Sequence, residues 1–222
     1  MSLTLYYHPL ASFCHKVLIA LYERGIAFEP RLIDLSSPAD AAELRAVWPF
    51  GKFPVIRDHA AQRDVAESTI IIEYLERYGA PASALMPSDT DAALDVRLWD
   101  RFYDNYVQAP MQQIVSDRMN GGKGDTIPLR ATLDIAYAML EHHLASRTWM
   151  SPYGFSMADC AAAPALFYAG IVHPFPPAYT QLSAYFDRLV QRTSVQRVID
   201  EARPYFHFFP FIDAMPQRFR RG

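Results

Sequence analysis

The sequence predicts a small α/β unit with a mixed four-stranded sheet, followed by an all-helical unit. Three observations predict it. The first eighty residues alternate between strand-like and helix-like patterns. Residues 80–90 carry Pro81 and Pro87, two serines and no strong periodicity. After that stretch every apolar pattern has helical spacing, and no strand candidate of comparable quality follows. The division is therefore 1–80, a linker over 81–90, and 91–222.

Leu3, Leu5 and Tyr7 alternate with Thr4, Tyr6 and His8, the period of a strand, and Pro9 ends it. Val17, Leu18 and Leu21 recur at helical spacing, with Gly25 where a left-handed helix cap is wanted. A second strand is expected over 28–33 and a weak helix over 39–48. Residues 54–57 and 64–66 read as a hairpin around Asp58 and His59. Ser68 then opens a helix carrying Ile71, Ile72 and Leu75. Beyond the linker, 91–118 reads as one amphipathic helix with Leu94, Leu98, Phe102 and Tyr106 stacked at intervals of four. Glycines at 121, 122 and 124 break it, Pro128 starts the next helix, and Leu133, Tyr137, Leu140 and Leu144 continue the spacing.

Composition narrows the function. With 51% hydrophobic and 20% charged residues, the chain can bury a sizeable core. Its 21 basic and 24 acidic side chains leave a net charge of -3, no field for nucleic acid or an anionic membrane. The longest apolar stretch, 160–172, is too short to span a bilayer and contains Pro164 and Gly170. The first residues lack a secretory pattern, so a cytoplasmic location is expected. Two cysteines, Cys14 and Cys160, make no disulfide framework. No Cys or His cluster has zinc-ligand spacing, and the adjacent His142 and His143 point different ways on a helix.

Three short motifs carry chemistry. The loop from Pro9 to Cys14 runs from strand to helix, and amides at a helix N-terminus stabilise anions such as a thiolate or carboxylate. Ser12 stands there, either as the helix cap or as a donor to a bound thiolate, since one hydroxyl does only one of these well. The second motif, Gly51, Lys52, Phe53 and Pro54, precedes a strand. A cis Pro54 would turn Phe53 into a free edge for an extended peptide, whereas base rates favour an ordinary trans turn. The third, Glu67 and Ser68, opens a helix; Ser68 as cap, aided by the dipole, can hold a ligand carboxylate while Glu67 meets an ammonium group. A fourth motif, Ser156 to Asp159, is a capping box assigned to folding. The aromatic run from Tyr205 to Phe211 is expected to pack the tail onto the body, and the basic end at Arg218, Arg220 and Arg221 to be mobile.

Taken together and in this order, Ser12 to Val17, Gly51 to Pro54, Glu67 to Leu75 and Ser156 to Asp159 resemble the cytosolic glutathione transferase family, over nearly the whole chain. The resemblance implies a thioredoxin-like N-terminal domain that binds glutathione, then an all-helical domain that shapes the site for the second substrate. It makes cis Pro54 the expectation. It further implies that the Phe53 backbone pairs with the cysteinyl part of glutathione, that Glu67 and Ser68 hold the γ-glutamyl end, and that Lys52 reaches toward a carboxylate. Tyr103 and Asp104, on the first long helix, would face the second-substrate pocket, and the assembly would be a homodimer.

The departures lie at the reactive position. Ala11 stands where serine-type relatives carry Ser, with Ser12 one place later, and Cys14 keeps only the second cysteine of a Cys-x-x-Cys pair. Ser12 is the expected catalytic hydroxyl, with Cys14 the second candidate, because a thiol near a helix N-terminus can be activated. Tyr7 offers another hydroxyl, although its alternation with Leu3 and Leu5 favours the core. Free thiols have a pKa of about 8.5, so the task would be to favour the glutathione thiolate for attack on a small, apolar electrophile. Glutathione would be a co-substrate, and no metal or nucleotide cofactor is implied. Two other readings stand beside it: a glutathione-dependent isomerase or disulfide or peroxide reductase, and a non-catalytic relative that binds a ligand or partner.

Overall fold

The computed structural model describes residues 2–80 and 84–220. It divides into two compact units, Met1–Met86 and Pro87–Gly222. Part of the expected linker, 81–83, lies outside the described residues, as do Arg221 and Gly222 of the tail.

The first unit runs β1 (Leu3–Tyr7), α1 (Ser12–Glu23), β2 (Glu29–Leu32), α2 (Pro38–Val47), β3 (Val55–Asp58), β4 (Arg63–Ala66) and α3 (Ser68–Leu75). The sheet order is β2-β1-β3-β4; β1 pairs parallel with β2 across the α1 crossover, and the other two pairings are antiparallel. Both sheet faces are covered. Leu3, Leu5 and Ile56 are buried on one side, where α3 packs on β3, β4 and α1. On the other, Tyr6 and Val55 close a cluster with Ile33 and with Leu44 and Val47 of α2. Period-two polarity is therefore lost in β1. Tyr6 is core and Tyr7 only half-buried, the reverse of what alternation predicts.

Helix ends follow local chemistry, with two corrections. Gly25, at φ +62, closes α1 in a Schellman arrangement: its N–H reaches the Tyr22 carbonyl and the Ile26 N–H the Leu21 carbonyl. Ser37 caps α2 by accepting from the Asp40 N–H. Ser12 and Ser68, however, are not caps. Each is the first helical residue, and the cap positions are Ala11 and Glu67, neither of which makes a side-chain cap bond. Asp58, at the end of β3, anchors the hairpin instead. Its buried carboxylate accepts the Ala60 and Ala61 N–H groups of the β3–β4 turn and the hydroxyls of Tyr74 and Tyr78, tying the hairpin to α3.

The second unit runs α4 (Thr90–Phe102), a π-helical turn (Tyr103–Gln108), α5 (Ala109–Met119), α6 (Ile127–Leu144), α7 (Met157–Val172), α8 (Thr180–Val190), α9 (Thr193–Ala202), two short 3₁₀ turns and α10 (Gln217–Arg220). Its centre is α7, whose alanines at 161, 162, 163, 165 and 169 let α4, α5 and α8 approach closely. The Ser156–Asp159 capping box is formed, and Asp159 also accepts the Met150 N–H and the Tyr185 hydroxyl. The long helix expected over 91–118 is interrupted by the π turn, and of its apolar row only Phe102 is buried. Leu94 is 63% and Leu98 60% exposed, while Ala93, Val96 and Asp100 point inward. The aromatic run packs as expected, with Phe206 and Phe209 buried against α7, whereas the basic end departs from expectation: Phe219 is buried and Arg218 pairs with Asp187, so the described end is anchored. Among the described residues no helix is long and apolar enough to cross a membrane.

Candidate active site

Strand register gathers the three chemical motifs. Tyr6 pairs with Val55, and Val55 with Ala66. The residues after β1, before β3 and after β4 therefore leave the sheet at one end: the Pro9–Ser12 loop, Phe53-Pro54 and Glu67-Ser68. The Phe53-Pro54 peptide bond is cis. The His8 and Phe53 rings stack across this end, their centroids 6.2 Å apart.

The β1–α1 loop is braced from within. The Ala11 N–H donates to the His8 carbonyl at 3.0 Å, and the Leu10 N–H to His8 Nδ1 at 3.1 Å, which leaves the proton of a neutral ring on Nε2. Burial lowers the His8 pKa, with Asp34 partly opposing. His15, fully buried on α1, donates from Nε2 to the Pro9 carbonyl, and burial pushes its pKa down to about 4. The ring is thus a neutral brace under the loop. Cys14 lies beside it with no exposed surface, and burial pushes its thiol up to about 12. A thiol in that state has the character of a small hydrophobe and not of the activated nucleophile expected for Cys14. Ser12 occupies the first position of α1, next to the loop, where the helix dipole is most positive.

At the neighbouring corner Glu67 is exposed and holds φ +66, an uncommon backbone for a residue other than glycine. Its carbonyl accepts the Ile71 N–H at 2.8 Å, so the amides of the first α3 turn point out of the helix end. Ser68 sits at the start of this turn, and the next residue, Thr69, accepts a hydrogen bond from Lys16 Nζ of α1 at 3.0 Å. A helix start, an extended backbone edge and a second helix start thus lie side by side. Such an arrangement can receive a short peptide with anionic groups.

Comparison with known proteins agrees over both units. The glutathione S-transferase N-terminal domain family matches residues 5–82, and the corresponding C-terminal domain family matches residues 91–188. The chain belongs to the glutathione S-transferase family. It is 29% identical to the glutathione S-transferase-like protein LUC7 of a Fusarium species, over 69% of this chain and 71% of that one. A delta-class glutathione transferase of Nilaparvata lugens superposes with a TM-score of 0.82 at 21% identity, covering 96% of this chain and 100% of its own. A glutathione S-transferase of Methylobacterium radiotolerans, solved in complex with glutathione sulfonate, gives a TM-score of 0.75 at 25% identity, covering 88% and 93%. The first unit is accordingly the thioredoxin-like domain of the transferase fold, and glutathione-dependent transfer is the family's general activity.

Within this transferase the remaining expected residues are spread differently. Lys52 is exposed on the loop before Phe53. Tyr103 has no exposed surface; its hydroxyl donates to Met150 Sδ at 3.2 Å, which makes it a core residue of the helical unit and not a pocket wall. Asp104 is buried beside it and ion-paired with Arg101, which also binds Asp100. Among the described residues no group of three or more His, Cys, Asp or Glu gathers to hold a metal. Sequence reasoning missed three members of the site. His8 read only as a strand position, and His15 and Lys16 stood only inside the Ser12 to Val17 motif, with no role of their own. The one clue was a lysine set among apolar residues one helical turn after Ser12.

Proposed function

We propose that this chain is a glutathione transferase that holds the peptide along the sheet end and activates its thiol at the start of α1. The convergence of the three motifs in register on β1, β3 and β4 carries the reading. Ser12 donates to the glutathione sulfur, and the α1 dipole adds to the field that favours the thiolate. The backbone of Phe53 pairs with the cysteinyl residue as an added strand, its side chain held by the His8 stack. Glu67 meets the γ-glutamyl ammonium, Ser68 and the α3 amides take its carboxylate, and Lys52 reaches toward the other carboxylate. The thiolate attacks the electrophile, a bond forms from sulfur, and the leaving group departs with the displaced electron pair. With Cys14 buried and protonated, a dithiol cycle within the chain has no second thiolate, which favours transfer over disulfide reduction.

The electrophile is small and apolar and belongs to the helical unit, with Asp104 at its edge. The protein is a cytoplasmic homodimer, and the exposed Leu94 and Leu98 on one face of α4 support the pairing. Calorimetric titration with reduced glutathione near neutral pH tests the core of this reading. Saturable binding at one site per chain is expected; no heat at two temperatures would overturn it.

A further inference from the structure

Lys16 is 1% exposed, deep in the run of α1 from Cys14 to Leu21 in which every residue is buried. Lysine is almost never so buried without a polar partner. Here Nζ donates to Thr69 Oγ1 at 3.0 Å, bridging α1 to the second residue of α3, and the two helices pack on one another. Lys16 also lies four residues after Ser12, on the same face one turn further along. Its side chain therefore starts one helical turn after Ser12 and ends at the first turn of α3, next to Ser68.

We propose that Lys16 is a positioning residue that sets the affinity for the γ-glutamyl carboxylate, an inference that rests on the glutathione reading above. The bond to Thr69 fixes the first turn of α3, directly after Ser68. The cation beneath that turn adds to the helix dipole, and the low dielectric of the surroundings lets it act through the intervening residue. Packing alone does not call for it, because methionine, one atom shorter, fills most of the same space without a polar head to satisfy. The arrangement gives the two ends of the ligand a common support.

The test compares reduced glutathione with an analogue whose γ-glutamyl α-carboxylate is amidated, by calorimetry on the whole protein. The parent binds glutathione more tightly than the amide. In Lys16→Met, glutathione binding weakens about tenfold and the amide hardly changes, so the preference collapses. Thr69→Val moves in the same direction by less, and Thr69→Ser stays with the parent. A purely structural lysine would weaken both ligands alike or neither, and either result overturns the inference. If Lys16→Met does not fold, an undiminished preference in Thr69→Val overturns it instead. A parent that binds neither ligand overturns the glutathione reading and this inference with it.

Discussion

Ser12 and Cys14 sit two residues apart, both buried, and differ in what they adjoin. Ser12 opens α1 beside the loop, while Cys14 faces inward, where burial raises the thiol to about 12. Ser12→Ala is expected to lower kcat/KM for glutathione conjugation about tenfold to a hundredfold, the worth of a hydrogen bond to a charged group. It should also raise the apparent pKa of bound glutathione, read from the pH dependence of thiolate absorbance. Cys14→Ala should leave that pKa in place and cost about 1 to 2 kcal/mol of stability, measured by urea unfolding. In the native protein Cys14 should react with a thiol reagent only after unfolding. These outcomes separate what was legible from what was not. The motif residues were readable because spacing marks a helix start. The state of Cys14 was not, because a first-turn cysteine reads the same whether it faces water or the core.

At the scale of elements, the β1–α1 loop stands on His15. Its folded-state pKa, about 4, lies below the ordinary value of 6.5, so folding disfavours protonation. Stability from this group is complete above about pH 6.5 and falls as pH drops toward 4, by about 3 kcal/mol in all. His15→Gln keeps a donor for the Pro9 carbonyl without titrating, and urea midpoints between those pH values should fall less steeply than the parent's. Asp58 acts lower on the same axis. Burial would raise its pKa, but four hydrogen bonds hold it down at about 2, so its contribution persists above about pH 4 and is lost below. Strand and helix positions were legible in the sequence because turn residues and periodicity bound them. The inward face of α4 was not. Four apolar residues at intervals of four look like a core stripe, yet the packing against α7 selects the small residues Ala93 and Val96 and leaves Leu94 and Leu98 outside. Tyr6 misled for a related reason, since α2 closes the face that alternation assigns to water.

For the whole molecule, the exposed α4 face is where the proposed dimer is tested. Sedimentation should give twice the chain mass, and the double substitution Leu94→Glu and Leu98→Glu should yield monomer with unchanged helicity. The helical unit depends on one carboxylate. Asp159 is fully buried and satisfies the Ser156 and Met150 amides and the Tyr185 hydroxyl, so Asp159→Ala strands several polar groups at once. A loss of more than about 3 kcal/mol is expected for the second unit, seen as a lowered Tm.

The point where the chain leaves the first unit is itself fastened. Arg24, behind the α1 terminus, donates to the Tyr78 carbonyl and pairs with Glu76 at 2.9 Å, and the other oxygen of Glu76 takes the Leu85 N–H at 2.9 Å. The side chain of Leu85 is buried there as well. The last residues of the first unit thus work as a clasp. A protease digesting the native protein should find the chain at Leu85 shielded and cut further along. An isolated fragment cut back to residue 80 would open the clasp and aggregate, whereas one that retains residue 86 should stay in solution.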